Sequence, residues 1–220
     1  MKIIYLIPPS EGKNNGGISE YEKLSFNFKK PLNIAISASQ KDLKCIGKRF
    51  EEGIELNKNI NSSGVLAAIE RYSGVMYSSI DYVGMSESGK KYFEDNFIIV
   101  SGMYGLIRPL DSIGNYKLPI ETKGLKDFWG ESLTHELNNI GADIIIDLLP
   151  NSYKKVIQWN NITSKVLSIN FYSEKKNELK KITHGVKKIK GEYIHTLCNK
   201  GSIDDVIVGN NIHQELKIIV

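Results

Sequence analysis

Ser101-Gly102-Met103-Tyr104-Gly105-Leu106-Ile107-Arg108-Pro109-Leu110-Asp111 places polar chemistry directly after an apolar block. That block, Phe97 to Val100, reads as a buried strand ending at Ser101. Two glycines three positions apart allow a tight turn or close approach to a ligand, and Tyr104 and Arg108 supply a stacking face and a permanent forked cation. Such a loop suits an anion or a flat base. The competing reading is a strand corner, with Tyr104 in the core and Arg108 paired to Asp111. Tyr116-Lys117-Leu118-Pro119-Ile120-Glu121 repeats the aromatic, cationic and apolar mixture and favours a lined cleft.

Three other stretches carry the same kind of chemistry. Ile3 to Ile7 reads as a first buried strand that delivers Pro8-Pro9-Ser10-Glu11-Gly12-Lys13, where Ser10 and Lys13 can hold an anion. Tyr72-Ser73-Gly74-Val75-Met76-Tyr77 reads as a glycine turn presenting Tyr72 and Tyr77. Asp143 to Leu149 reads as a central strand feeding a loop with Asn151, Ser152 and Tyr153. Lys187, Lys188 and Lys190 fall in a basic helix expected over residues 185–199.

The elements that must position these residues alternate between strand and helix, which predicts an α/β fold: a single domain, 1–220, with a mixed β-sheet flanked by helices and a basic cleft. Gln40 to Asn57 reads as one helix or two shorter ones capped by Ser39, residues 64–72 as helical, and Lys126 to Asn138 as a helix burying Phe128, Trp129, Leu133 and Leu137. Val166 to Phe171 and Leu216 to Val220 read as strands, and Glu174 to Lys181 as a solvated turn.

Composition narrows the partners. The 220 residues are 41% hydrophobic and 25% charged, ordinary for a globular chain, and the interrupted N-terminal apolar block is too short for a secretory core or a membrane span. The formal charge of +4 hides an asymmetry: residues 151–200 hold eleven lysines against Glu174, Glu178 and Glu192. That polarity favours a phosphate-bearing partner. Cys45 and Cys198 read as reduced thiols in a cytoplasmic protein, and His135, His184, His195 and His213 lack metal-ligand spacing. Ser10-Glu11-Gly12-Lys13 lacks the two-glycine spacing of a Walker loop, so the reading assigns no cofactor and no metal.

Taken in order, Leu6 to Lys13, Tyr72 to Tyr77, Ser101 to Asp111, Phe128-Trp129-Gly130, Asn151-Ser152-Tyr153 and Lys187-Lys188-Ile189-Lys190-Gly191 resemble the YaaA family of peroxide stress proteins. The resemblance implies a cytoplasmic α/β protein of hydrogen peroxide resistance that binds DNA in a positively charged cleft; the aromatic residues of the cleft extend the expected partner to bubbled or single-stranded DNA. It also implies a helix-hairpin-helix around Leu43 to Asn57, although Gly47 is followed there by Lys48 and Arg49 rather than by an apolar residue. The family pattern resembles Lys-Lys-x-Arg-Gly, and Lys190 stands at the arginine position, keeping the charge without the planar fork. The expected binding set is therefore Ser10, Lys13, Tyr72, Tyr77, Tyr104, Arg108, Lys187, Lys188 and Lys190. The alternative is an enzyme acting on a nucleotide, nucleobase or other anionic small molecule in the same cleft, with Lys13 or Lys188 as nucleophile or acid/base.

Overall fold

The β-branched block at the N-terminus forms β1 (Ile3–Ile7), the strand around which the rest is arranged. A computed structural model describes residues 1–18, 27–175, 178–201 and 213–219. After β1 come α1 (Lys29–Ser37), α2 (Gln40–Leu43), α3 (Lys48–Lys58), β2 (Leu66–Ala67), α4 (Ala68–Arg71), α5 (Val75–Ile80) and α6 (Glu87–Asn96). The chain continues through β3 (Phe97–Ser101), β4 (Gly105–Ile107), β5 (Ser112–Ile113), α7 (Leu125–Asn139), β6 (Ile144–Asp147), α8 (Asn151–Lys154), β7 (Lys165–Lys175), β8 (Glu178–Lys181), α9 (Val186–Lys200) and β9 (His213–Ile219).

Seven of these strands form one mixed sheet in the order β4-β3-β1-β6-β7-β8, with β9 also paired to β7. Parallel pairing joins β3 to β1, β1 to β6, β6 to β7 and β7 to β9, whereas β4 and β8 run antiparallel to their neighbours. β1, β3 and β6 are buried on both faces, which explains their unbroken Ile, Leu and Val runs. The architecture is the α/β fold expected, a mixed sheet flanked by helices. Because β1 is followed in the sheet by β3 on one side and by β6 on the other, the strand order reverses at β1. The carboxyl ends of β1 and β6 therefore flank a crevice of the kind in which α/β sheets bind ligands.

Several boundaries differ from the sequence reading for identifiable reasons. Residues 64–72 are helical only over Ala68–Arg71, because Val65 exchanges backbone hydrogen bonds with Ile18 and Leu66–Ala67 pairs with Ser112–Ile113. Gln40 to Asn57 is two helices, broken where Lys44 takes a left-handed φ of 54° and Gly47 follows at 54°. Ser39 does cap the first of them, with Asp42 returning the hydrogen bond. Asn151–Lys154 is a short helix rather than a loop. The stretch expected to be a solvated turn is instead mostly strand: Tyr172 to Lys175 pairs with Glu178 to Lys181 in an exposed ladder whose backbone pairing leaves no hydrophobic pattern. The closing strand begins earlier than expected, at His213, and position 220 lies outside the described residues.

Candidate functional site

The loop leaving β1 is fastened to the segment entering α5. Ser10 donates to the carbonyl of Ser73, the Ser73 N–H donates to the Gly12 carbonyl at 3.0 Å, and Lys13 pairs with Tyr72 in an isolated bridge. Gly74 makes this join possible: its φ of 101° is open to glycine, and a Cβ there would stand 3.0 Å from the Ser10 hydroxyl. Arg71 braces the loop from inside the protein. Fully buried, its guanidinium donates to the carbonyls of Asn14, Gly16 (3.0 Å), Gly64 (2.6 Å) and Ile113 (3.3 Å).

A cavity of about 170 Å³ lies against this loop, lined by Ser10, Lys13, Tyr116, Lys117, Ile120 and Tyr153 among others. Lys13 is half-buried as a side chain, but its amine is enclosed. Nζ donates to the carbonyls of Ser10 (3.0 Å) and Glu11 (3.4 Å) and lies 4.1 Å from the centroid of the Tyr116 ring. Among the described residues it makes no ion pair, because Glu11 is engaged by Lys117 and Glu121 by Lys44. Burial first, and then the Lys117 and Arg71 cations against a partial offset from Glu11, push the Lys13 amine down to about 7. It thus exchanges protons near neutrality.

Behind Lys13 stands a hydroxyl cluster. Ser101 Oγ accepts the N–H groups of Met103 and Tyr104, each at 3.2 Å, so its own proton goes to the Tyr116 hydroxyl at 2.8 Å. Tyr72 meets the same Tyr116 oxygen at 2.7 Å. Burial raises the Tyr116 phenol to about 12 despite the opposing hydrogen bonds from Ser101 and Tyr72, which keeps it protonated at neutral pH. Two buried residues fix the walls: Trp129 donates to the Gly102 carbonyl at 2.8 Å, and Asn57 clamps Lys117 through both backbone groups at 2.9 Å.

A second hollow of about 390 Å³ shares Pro9, Ser10 and Glu11 with the first and extends to Tyr77, Lys187 and Lys190. Lys190 donates to the Leu148 carbonyl, and burial and the Lys154 cation, opposed by Asp147, lower it to about 8. Asp147, at the end of β6, pairs with Lys154 and accepts from Ser168 at 2.9 Å. α9 is drawn close here because Gly191 has no side chain: a Cβ would sit 2.5 Å from Ser79 Cβ and 2.9 Å from the Ile80 nitrogen. The glycine closing Lys187-Lys188-Ile189-Lys190-Gly191 is a packing residue.

Of the nine residues singled out in the sequence, Ser10, Lys13, Tyr77, Lys187 and Lys190 line the two hollows. Tyr72 lies beneath them, 2% exposed, with its ring 5.3 Å from that of the buried Tyr77, so the turn does not present these aromatics outward. Tyr104 is fully buried between Phe28 and Tyr116 with its oxygen accepting from Gly114, leaving no face for a base. Arg108 lines neither hollow. The turn at Gly102–Tyr104 reverses the chain so that Arg108 returns toward the start of β3 and donates to the Asp95 carbonyl at 3.1 Å. Lys188 points to another face of α9, where it pairs with Glu192 at 3.5 Å. Arg71, Asn57, Lys44 and Asp147 were not singled out in the sequence. Nothing in the local context of Arg71, Asn57 and Lys44 marks them, because they act mainly on residues distant in the chain.

The sequence itself is similar to that of known proteins. Residues 1–206 match the family profile described as "Peroxide stress protein YaaA", and the chain belongs to that family. Curated relatives carry the name UPF0246 protein. One from Shewanella loihica is 30% identical across 78% of this chain and 71% of its own length. Another, from Fusobacterium nucleatum, is 26% identical across 98% and 95%. A third, from Marinomonas sp. strain MWYL1, is 32% identical across 56% of this chain and about half (51%) of its own length. No helix among the described residues is long and apolar enough to cross a membrane, and Cys45 and Cys198 are both free.

Proposed function

We propose that this chain serves peroxide defence by binding DNA at the crevice, as one domain over 1–220 acting in the cytoplasm. An unpaired base or its sugar enters the Lys13 cavity, and the flanking phosphates lie along the second hollow against Lys187 and Lys190. The observation that carries this reading is that Pro9, Ser10 and Glu11 line both hollows, which sets a cavity walled by Tyr116 and Tyr153 beside one lined by Lys187 and Lys190. Tyr153, half-buried on the wall of the first, supplies the stacking surface that Tyr104 does not. Because a base enters only where it is unpaired, bubbled or single-stranded DNA is favoured over intact duplex.

Fluorescence anisotropy against duplex, bubbled and single-stranded DNA over a salt series tests the reading. Binding selective for unpaired strands is expected, with Tyr153→Ala costing about 1 to 3 kcal/mol. Equal affinity for all three forms, unaffected by Tyr153→Ala and by charge reversal at Lys187, would remove it. The size of the Lys13 cavity favours a second reading: about 170 Å³ fits one base or sugar, so an enzyme acting on a free nucleotide or sugar phosphate uses the same residues. Calorimetric binding of mononucleotides without binding of strands would select it.

A further inference from the structure

We propose that Lys13 is a carbonyl-capturing nucleophile, forming an imine with an aldehyde carried on a phosphate-bearing sugar, such as the ring-opened deoxyribose of a strand that has lost a base. This inference rests on the reading of the crevice as a site for a nucleic acid strand and names the chemical group that the cavity takes.

The geometry is that of an amine kept for addition rather than for salt bridging. Glu11 and Glu121, the carboxylates on the cavity wall, are held by Lys117 and Lys44. Nζ instead directs hydrogens to two loop carbonyls, those of Ser10 and Glu11. A neutral amine has two hydrogens, so with both donated its lone pair is the remaining direction at nitrogen. The loop cannot easily withdraw this amine, because Arg71, Ser73 and Gly74 fix it on the inner side. Burial and neighbouring cations, which bring the amine to about 7, make a substantial neutral fraction available at physiological pH.

The step balances without an oxidant or reductant. The Nζ lone pair attacks the carbonyl carbon, and the carbonyl oxygen takes a proton to give a carbinolamine. That species loses its hydroxyl and the remaining nitrogen proton as water, forming the C=N bond. Captured in this way, a reactive aldehyde on a damaged strand is masked, and the imine returns to amine and aldehyde on addition of water. Loss of a base exposes just such an aldehyde, which connects the chemistry to peroxide stress.

Borohydride trapping tests the proposal. The whole protein is incubated at pH 7.5 with a single-stranded oligonucleotide bearing one abasic site, with the same strand intact, and with glyceraldehyde 3-phosphate. Each mixture is reduced with sodium borohydride, digested, and mapped by peptide mass spectrometry. The expected result is a reduced adduct on Lys13 from the abasic strand, at least tenfold above any exposed lysine such as Lys188, and none from the intact strand. Lys13→Arg abolishes the adduct, and the unaltered protein's own map gives the answer even where that variant folds poorly. Anisotropy binding of the intact strand with adducts spread over surface lysines overturns the imine proposal and leaves the binding reading standing. An adduct on Lys13 from glyceraldehyde 3-phosphate, without binding or trapping of any strand, upholds the nucleophile and overturns the nucleic acid reading. Absence of a Lys13 adduct from every aldehyde overturns the proposal outright.

Discussion

The Lys13 amine lies 4.1 Å from the centroid of the Tyr116 ring, whose hydroxyl is in turn held by Ser101 and Tyr72. A cation above an aromatic face is favoured, yet this one is enclosed and faces the Lys117 and Arg71 cations, so the balance runs against its charge. Loops that follow β1, α4 and β5 meet at this single contact. The pairing therefore reports on both the stability of the fold and the chemistry of the crevice.

Lys13→Met should stabilise the protein near pH 6, by about 2 to 4 kcal/mol, because it keeps the apolar stem and removes an unfavourable charge. The sign follows from linkage. With the folded amine at about 7 and the reference value at 10.5, the unfolded chain holds the extra proton between those limits, so the unaltered protein gains stability as pH rises through that window. The advantage of Lys13→Met should shrink from pH 7 toward pH 10. Urea unfolding of both proteins across that range checks it, and a gap independent of pH would show that the amine is not depressed.

Gly191→Ala should destabilise the fold by about 1 to 3 kcal/mol, although alanine is the better helix former. Its Cβ would meet the Met76 carbonyl and approach Ser79 Cβ to 2.5 Å, with backbone on the α5 side unable to yield cheaply. Thermal unfolding measures this directly. A rise in melting temperature would mean that α5 and α9 do not approach as closely as described.

These cases show what the sequence makes legible. Apolar blocks marked β1, β3 and β6, and Ser39 marked a helix start, because strand burial and capping are local in origin. Lys13 and Ser10 were legible as residues of a loop leaving a buried strand, and both line the first cavity. Arg108 was misplaced because its position depends on the reversal at Gly102–Tyr104, which a pattern of residue types does not specify. The partnership of Lys13 with Tyr116 was illegible for a related reason: it joins segments far apart in the chain through sheet topology. The packing role of Gly191 was illegible because its close neighbours, Met76, Ser79 and Ile80, lie on a distant helix.

Charge reversal should separate neighbouring lysines on α9. Lys187 faces the second hollow, whereas Lys188 is turned away and paired with Glu192. Lys187→Glu should weaken binding of single-stranded DNA and lower the log-log salt slope by roughly 0.7 if it neutralises one phosphate. Lys188→Glu should change both much less. Anisotropy titrations at four salt concentrations provide the comparison, and equal effects of the two variants would point to diffuse attraction by a basic helix.

Arg71 offers the sharpest test of how the loop is built. Arg71→Lys keeps a cation but replaces a planar fork that reaches four carbonyls with a single ammonium group. Carbonyls of Asn14, Gly16 and Gly64 would then lose charge-assisted donors in a buried setting, costing about 2 to 4 kcal/mol in unfolding free energy. Because the same carbonyls tie down the residues directly after Lys13, hydrogen exchange in residues 10–16 should accelerate more than in β1. Uniform acceleration across both segments would instead mark a global loss of stability, and no acceleration would show that the loop is held by Ser73 and Gly74 alone. The first pattern would establish that a cation at position 71 is insufficient and that its forked geometry is what keeps the Lys13 amine inside the cavity.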